Sequence, residues 1–169
     1  MPPDPEMSRL DSFIRRLKAQ RACLGLAAAL VEKLDGAVLE LGLGNGRTYD
    51  HLRELCPERK IYVCERQVAA HPDCVPPPEM LLLGDILETL PAIRTRLAGG
   101  VALAHFDAAT GDGAAGRAFA AAVGPLIVPL LRIGAVLVSE QNIVGDELVP
   151  LALPDGIAAG RYHLYRREA

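Results

Sequence analysis

Residues 39–48 read LELGLGNGRT, with Gly42, Gly44 and Gly46 behind an apolar run that holds one carboxylate, Glu40. Glycine lacks a Cβ and tolerates positive φ, so such a loop suits a tight turn with a ligand close to its backbone. A helix beginning near Asn45 would offer its free N–H groups to a polar or anionic ligand. The dinucleotide fingerprint needs its last glycine one position later, where this chain has Arg47. Glu40 adds a second constraint. A carboxylate inside a strand is costly to bury without a partner. A cationic ligand group, directly or through water, would offset that cost, whereas a pyrophosphate would be repelled.

Three more acids fall at comparable places. Glu65 closes the run KIYVCE, about 20 residues beyond the loop, where a carboxylate can accept bonds from both hydroxyls of a ribose. The segment GDILETLP places Asp85 and Ile86 behind a third apolar run. Asp85 can take a hydrogen bond from an exocyclic amine, and Ile86 can pack on a flat base. Asp107 follows a fourth run, VALAHFD. In open α/β sheets ligands bind beyond the carboxyl ends of the strands. Four acids in register are stronger evidence for a ligand site than the glycines alone.

The elements that must position these residues alternate. Strand candidates are 37–41, 60–65, 79–84, 101–107 and 134–140. Helical stretches span about 45–56, 86–97 and 113–132, with Gly124 and Pro125 as a kink point in the last. The link VAAHPDCVPPP holds no more than a turn of helix. This order predicts an α/β fold, a Rossmann-like, mostly parallel sheet with helices on both faces. Residues 147–154 and 161–168 read as two further strands joined by the turn DGIAAG, an antiparallel C-terminal hairpin. Ahead of the sheet, Ser8 can cap a helix through SRLD. Leu10, Phe13, Ile14, Leu17 and Leu24 recur at helical spacing, with Gly25 as a candidate break. Residues 1–34 thus form an N-terminal helical segment able to act as a lid, and 35–169 the α/β domain.

Composition excludes several classes. The net charge of −3 gives no electrostatic case for nucleic acid or acidic membranes. No apolar run reaches the length of a membrane span, and the acidic N-terminus is unlike a signal peptide. These readings predict a soluble, cytoplasmic protein. Cys23, Cys56, Cys64 and Cys74 form no CxxC pair and read as free thiols. No two of His51, His71, His105 and His163 share a motif. His105, two residues before Asp107 and on the same strand face, is the best placed to act as a base.

The motifs VLELGLGNGRT, IYVCE, LLLGDI and HFDA together resemble those of the class I S-adenosylmethionine-dependent methyltransferases, over residues 37 to about 140 with the hairpin extending the match. The resemblance implies a sheet of order 3-2-1-4-5-7-6 whose seventh strand is antiparallel. It implies that S-adenosyl-L-methionine is the cofactor. Gly42, Gly44 and Gly46, with Asn45 between them, would wrap its methionine moiety, and Glu40 would sit near its ammonium. Glu65 would hold the ribose, Asp85 and Ile86 the adenine, and Asp107 would line the place where the methyl group is presented. The family's helix between the fifth and sixth strands has no room in QNIVGDEL, which leaves the order of the last two strands open. No insertion is large enough for a substrate domain, so a small-molecule acceptor is expected. Asp107, Asp112 and Asn142 supply oxygen ligands of the kind that Mg²⁺ takes, but loop turns account for them as well, and no metal is assigned. The basic face of the first helix reads either as a solvated surface or as a cover for the cofactor mouth, with Arg16 or Gln20 touching ligand. The hairpin edge offers a place for a homodimer. Two other functions fit the same residues: a module that binds S-adenosylmethionine or S-adenosylhomocysteine without catalysis, and a nicotinamide-dependent oxidoreductase.

Overall fold

The computed structural model describes residues 7–108 and 113–169. The proline-bearing residues 1–6 and the loop 109–112, which includes the metal-ligand candidate Asp112, lie outside the described residues. A seven-stranded sheet of order β3-β2-β1-β4-β5-β7-β6 forms the centre. Strands β1 (Ala37–Leu41), β2 (Ile61–Glu65), β3 (Leu81–Leu83), β4 (Val101–Phe106) and β5 (Leu131–Ser139) run parallel. Strand β7 (His163–Arg167) is antiparallel to both β5 and β6 (Leu148–Pro150). The order left open by the sequence is therefore the one in which β7 inserts between β5 and β6.

Four helices cover the sheet: α1 (Arg9–Leu30), α2 (Arg47–Leu55), α3 (Ile86–Leu97) and α4 (Ala114–Ile127). The period of two in β1 explains the two layers. Val38 faces a core made with Cys23, Leu24 and Ala27 of α1 and Leu52 of α2. Leu39 and Leu41 face the other core, with Leu90 and Ile93 of α3 and Val123 of α4. Each fully buried Leu or Ile side chain of this kind contributes roughly 1.5–3 kcal/mol.

Some boundaries differ from the sequence reading. Gly25 does not divide α1, because Cys23, Leu24 and Ala27 on either side of it are fixed in the core. Strand β3 shrinks to three residues, since Pro77 and Pro78 lead instead into a 3₁₀ turn at Pro78–Met80. Strand β5 starts at Leu131, because α4 ends at Ile127 and a 3₁₀ turn with Pro129 closes it. The C-terminal pair is antiparallel as expected, but residues 151–162 form a long irregular connection rather than a tight turn. The apolar stripe of α1 is also split. Its C-terminal half is buried, while Leu10, Phe13 and Ile14 are exposed at 66%, 44% and 39%. No helix among the described residues is long and apolar enough to cross a membrane.

Candidate active site

A cavity of about 680 Å³ opens beyond the carboxyl ends of β1, β2 and β4. Its floor is the loop from β1 to α2. Gly42, Gly44 and Gly46 all take positive φ, at 92°, 52° and 84°. A Cβ on Gly42 would lie 2.6 Å from the Asp107 carbonyl oxygen, so this position serves the packing of β1 on β4. A Cβ on Gly44 would meet nothing within 4 Å, so its bareness keeps the cavity open. Gly46 caps α2 without a side-chain bond and presses against Cys74.

Glu65 ends β2 and ties that strand to the glycine loop. Its Oε2 accepts from the N–H groups of Leu43 (2.7 Å) and Gly44 (3.1 Å). Its Oε1 accepts from those of Arg66 (2.7 Å) and Gln67 (3.3 Å). Burial alone would raise the carboxyl, but these four donors hold it below the usual range. Asp85, exposed, caps α3 by accepting from the Leu87 N–H, and Ile86 is buried beside it on the cavity wall.

Asp107 is reached by α1. Its Oδ1 pairs with the Arg16 guanidinium at 2.7 Å and its Oδ2 accepts from the Gln20 amide at 2.6 Å. Arg16 also reaches Glu140, beyond β5, at 3.0 Å. Burial alone would raise the Asp107 carboxyl. The bond with Glu140, the charges of His105 and Arg16 and the Gln20 amide together hold it below the usual range. The N-terminal part of α1 is thus fastened across the tips of β4 and β5, with Phe13, Arg16, Leu17 and Gln20 on one helical stripe facing the cavity.

Seven of the nine residues singled out by sequence converge on this cavity: Gly42, Gly44, Asn45, Glu65, Asp85, Ile86 and Asp107. Gly46 and Glu40 do not line it. Glu40 sits on the α1–α2 face of β1 and is fully buried. It lies directly across from His105 on β4, and Nδ1 of His105 is 2.6 Å from its Oε1. Nε2 of His105 meets the Tyr162 hydroxyl at 3.3 Å, and that hydroxyl accepts from Gln20 at 2.7 Å. His105, 0% exposed, therefore stands behind the cavity as the partner of Glu40, not at it as a base. Burial pushes the Glu40 carboxyl up; for His105 burial acts downward, but Glu40, Asp107 and Glu140 outweigh it and leave the imidazole raised. Both groups therefore hold their protons more tightly than free side chains do.

Tyr162, which arrives from the irregular segment before β7, and Glu140 carry no local signal in the sequence. The sequence reading placed Phe13 and Leu17 on the apolar face of α1 and Arg16 on its basic face; the structure brings Phe13, Arg16, Leu17 and Gln20 together on the cavity. Among the described residues no group of three His, Cys, Asp or Glu is arranged to hold a metal ion. Asn142, of the Mg²⁺ set, instead accepts the Tyr165 hydroxyl through its Oδ1 at 2.5 Å.

The family model of an S-adenosyl-L-methionine methyltransferase matches residues 7–167. This chain belongs to that family. The S-adenosyl-L-methionine methyl transferase of Silicibacter pomeroyi DSS-3 is 48% identical to it, with a TM-score of 0.91 over 96% of this chain and 99% of that one. Human methyltransferase-like protein 13, in complex with SAH (S-adenosylhomocysteine), shares the fold at 13% identity. Its TM-score is 0.57, over 92% of this chain and 81% of that one. The 1,6-didemethyltoxoflavin-N1-methyltransferase of Burkholderia thailandensis has a TM-score of 0.50 at 14% identity, over 98% of this chain and 93% of that one. None of the curated proteins matches the chain. The family membership makes the protein an S-adenosylmethionine-dependent methyltransferase, and the fold, the cofactor and the enzyme class implied by the motifs all agree with it.

Proposed function

We propose that the cavity holds S-adenosylmethionine along the glycine loop and presents its methyl group, near Asp107, to a small-molecule acceptor. The observation that carries this is the convergence of the glycine loop, Glu65, Asp85–Ile86 and Asp107 on one opening. The residues fit the donor. Gly44 leaves room above the loop, and acids at three strand tips suit a cation. Among the described residues no partner stands within hydrogen-bond distance of the Glu40 Oε2, the Thr48 hydroxyl interacting only weakly with this carboxyl, and the donor ammonium would satisfy that oxygen through a water behind the loop. The adenine would take Asp85 and Ile86, the ribose Glu65, and the methionine end Gly42, Gly44 and Asn45, with Gly46 setting the turn.

The bound sulfonium supplies an activated methyl group, so the protein's part is to align the acceptor for in-line displacement. The lining offers little base catalysis. Glu65 and Asp107 are held below the usual carboxylate range, and burial pushes the Cys64 thiol up to about 11. The described lining contains no histidine. An acceptor atom that is nucleophilic as it stands, such as an amine or a thiolate, suits this site better than an alcohol, which needs a base. The reading includes a cytoplasmic site of action and a homodimer, both carried from the sequence alone.

Thermal shift with SAH and with NAD tests the donor. Stabilisation by SAH is expected; stabilisation by NAD alone would restore the oxidoreductase reading. Incubation with labelled donor and a panel of amines and thiols tests turnover, and tight binding without methyl transfer to any of them would favour a non-catalytic module. Glu65→Ala should weaken SAH binding by about 1–3 kcal/mol, the scale of charged hydrogen bonds. Unchanged affinity by calorimetry would remove Glu65 from the ribose. If the first half of α1 is a lid, deleting residues 1–18 should speed SAH release roughly tenfold, as for the loss of about 1.4 kcal/mol of contacts. An unaltered off-rate in stopped flow would make that segment packing only.

A further inference from the structure

The donor we assign to the cavity carries a carboxylate at its methionine end. That end lies among acids: Glu65 borders the glycine loop, and Asp107 faces it from β4. A carboxylate entering there needs a cation. Three arginines line the cavity: Arg16, Arg47 and Arg66. Arg16 is committed to Asp107 and Glu140. Arg66 follows Glu65 at the tip of β2, the ribose end. Arg47 directly follows the third glycine and opens α2. No hydrogen bond or ion pair joins its guanidinium to another described residue. Among the described residues it meets the ring of Phe13, with Cζ 5.9 Å from the centroid.

From these observations, and resting on the donor assignment above, we propose that Arg47 is the carboxylate clamp of the donor site, with Phe13 of α1 as the platform that holds its guanidinium over the glycine loop. A guanidinium presents paired N–H donors that match a carboxylate, and an aromatic face limits the orientations it samples. The first N–H groups of α2 point the same way and add their partial positive charge. The arrangement also sets specificity. A nucleoside thioether that lacks the amino-acid portion should gain nothing from Arg47, so the site should distinguish a donor or product with the carboxylate from one without it. The departure of this loop from the dinucleotide fingerprint, Arg where a glycine would stand, then has a function.

The test uses the full chain and two probes, SAH and 5′-methylthioadenosine, which share the nucleoside and the thioether sulfur, the second lacking the whole amino-acid end, ammonium and carboxylate together, so that the assignment rests on how Arg47 variants change each affinity. Calorimetry on the wild type, Arg47→Gln and Arg47→Lys gives the ratio of the two affinities. Arg47→Gln should weaken SAH about 10-fold to 100-fold, the range of a charge-assisted hydrogen bond, and change 5′-methylthioadenosine by less than about twofold. Arg47→Lys, which keeps the charge and loses the fork, should fall between. Equal losses for both probes would mean a disturbed loop and would overturn the assignment. Unchanged SAH affinity with a raised KM for the acceptor would move Arg47 to an anionic acceptor and overturn it as well. A wild type that binds SAH, with a variant that keeps the wild-type ratio, defeats only the clamp. A wild type that does not bind SAH defeats the donor reading, and the clamp with it. Arg47 is exposed, so its variants should melt like the wild type, which circular dichroism verifies.

Discussion

Replacing His105 with phenylalanine should destabilise the fold by about 3–5 kcal/mol, the range for removing one partner of a buried charged pair. The ring volume is roughly kept, so the loss comes from Glu40. Its carboxylate, fully buried, would lose the imidazole at 2.6 Å, and its Oε2 has no partner within hydrogen-bond distance among the described residues. Replacing both residues, as in Glu40→Leu/His105→Phe, should cost less than His105→Phe alone, because an apolar pair leaves no buried charge. Urea denaturation of the single and double variants measures both. A double variant less stable than the single would mean that the pair does not act as a unit.

The same pair gives a pH signature. Its members hold their protons more tightly in the folded state than the ordinary values of 4.5 and 6.5. Linkage then makes the His105 contribution complete below about pH 6.5 and lost as pH rises through the raised folded value. The Glu40 shift acts in the same direction. Glu65 and Asp107 have the opposite sign. Their lowered folded values give stability that is present above the usual carboxylate range and lost as pH falls. The wild type should therefore weaken on both sides of a maximum. The double variant should lose its share of the alkaline limb and, because the His105 charge helps hold Asp107 low, part of the acid limb as well, while the share of Glu65 remains. A double variant with an unchanged alkaline limb would place that limb on other groups.

The second large effect belongs to the glycine loop, where two chemically identical substitutions should fail differently. Gly42→Ala should cost about 2–4 kcal/mol of stability. An L residue at φ 92° is strained by roughly 1–2 kcal/mol, and its Cβ would lie 2.6 Å from a backbone oxygen of the neighbouring strand end. Gly44→Ala bears only the conformational term, about 1 kcal/mol, because its Cβ would meet no atom of the protein within 4 Å. That Cβ instead enters the cavity, and SAH binding should weaken by roughly 1–3 kcal/mol, the scale of overpacking a filled site. Thermal melts and calorimetry on the two variants separate stability from binding. A folded Gly44→Ala protein with wild-type affinity for SAH would move the donor off this loop.

Much of the site is legible in the chain because local rules place it. Strand ends are marked by a switch from apolar runs to Gly or Asp, and a parallel sheet brings such ends to one edge. Glu65, Asp85 and Asp107 could therefore be assigned to one crevice without knowing any contact between them. The α3 boundaries, Ile86 to Leu97, were readable for the same reason: Asp85 is a good N-cap and the apolar spacing is helical.

Glu40 marks where local rules stop. The alternation in β1 puts it on the face opposite Leu39 and Leu41, and one strand cannot say what lies across that face. Its partner, His105, is 65 residues away and meets it only because β1 and β4 are neighbours in this register. Gly46, equally part of the motif, faces Cys74 and not the cavity.

By itself, then, the sequence determined the layered α/β sheet, the glycine turn and the acids at the strand tips, all of which follow from periodicity and turn chemistry within short windows. Only the tertiary structure decided that β7 enters between β5 and β6 and that Glu40 is answered by His105. It alone brought Arg16, Gln20 and Tyr162 to Asp107 and His105. Those outcomes depend on register and on long-range packing, and side chains separated by tens of residues carry no local signal of which neighbour will neutralise them.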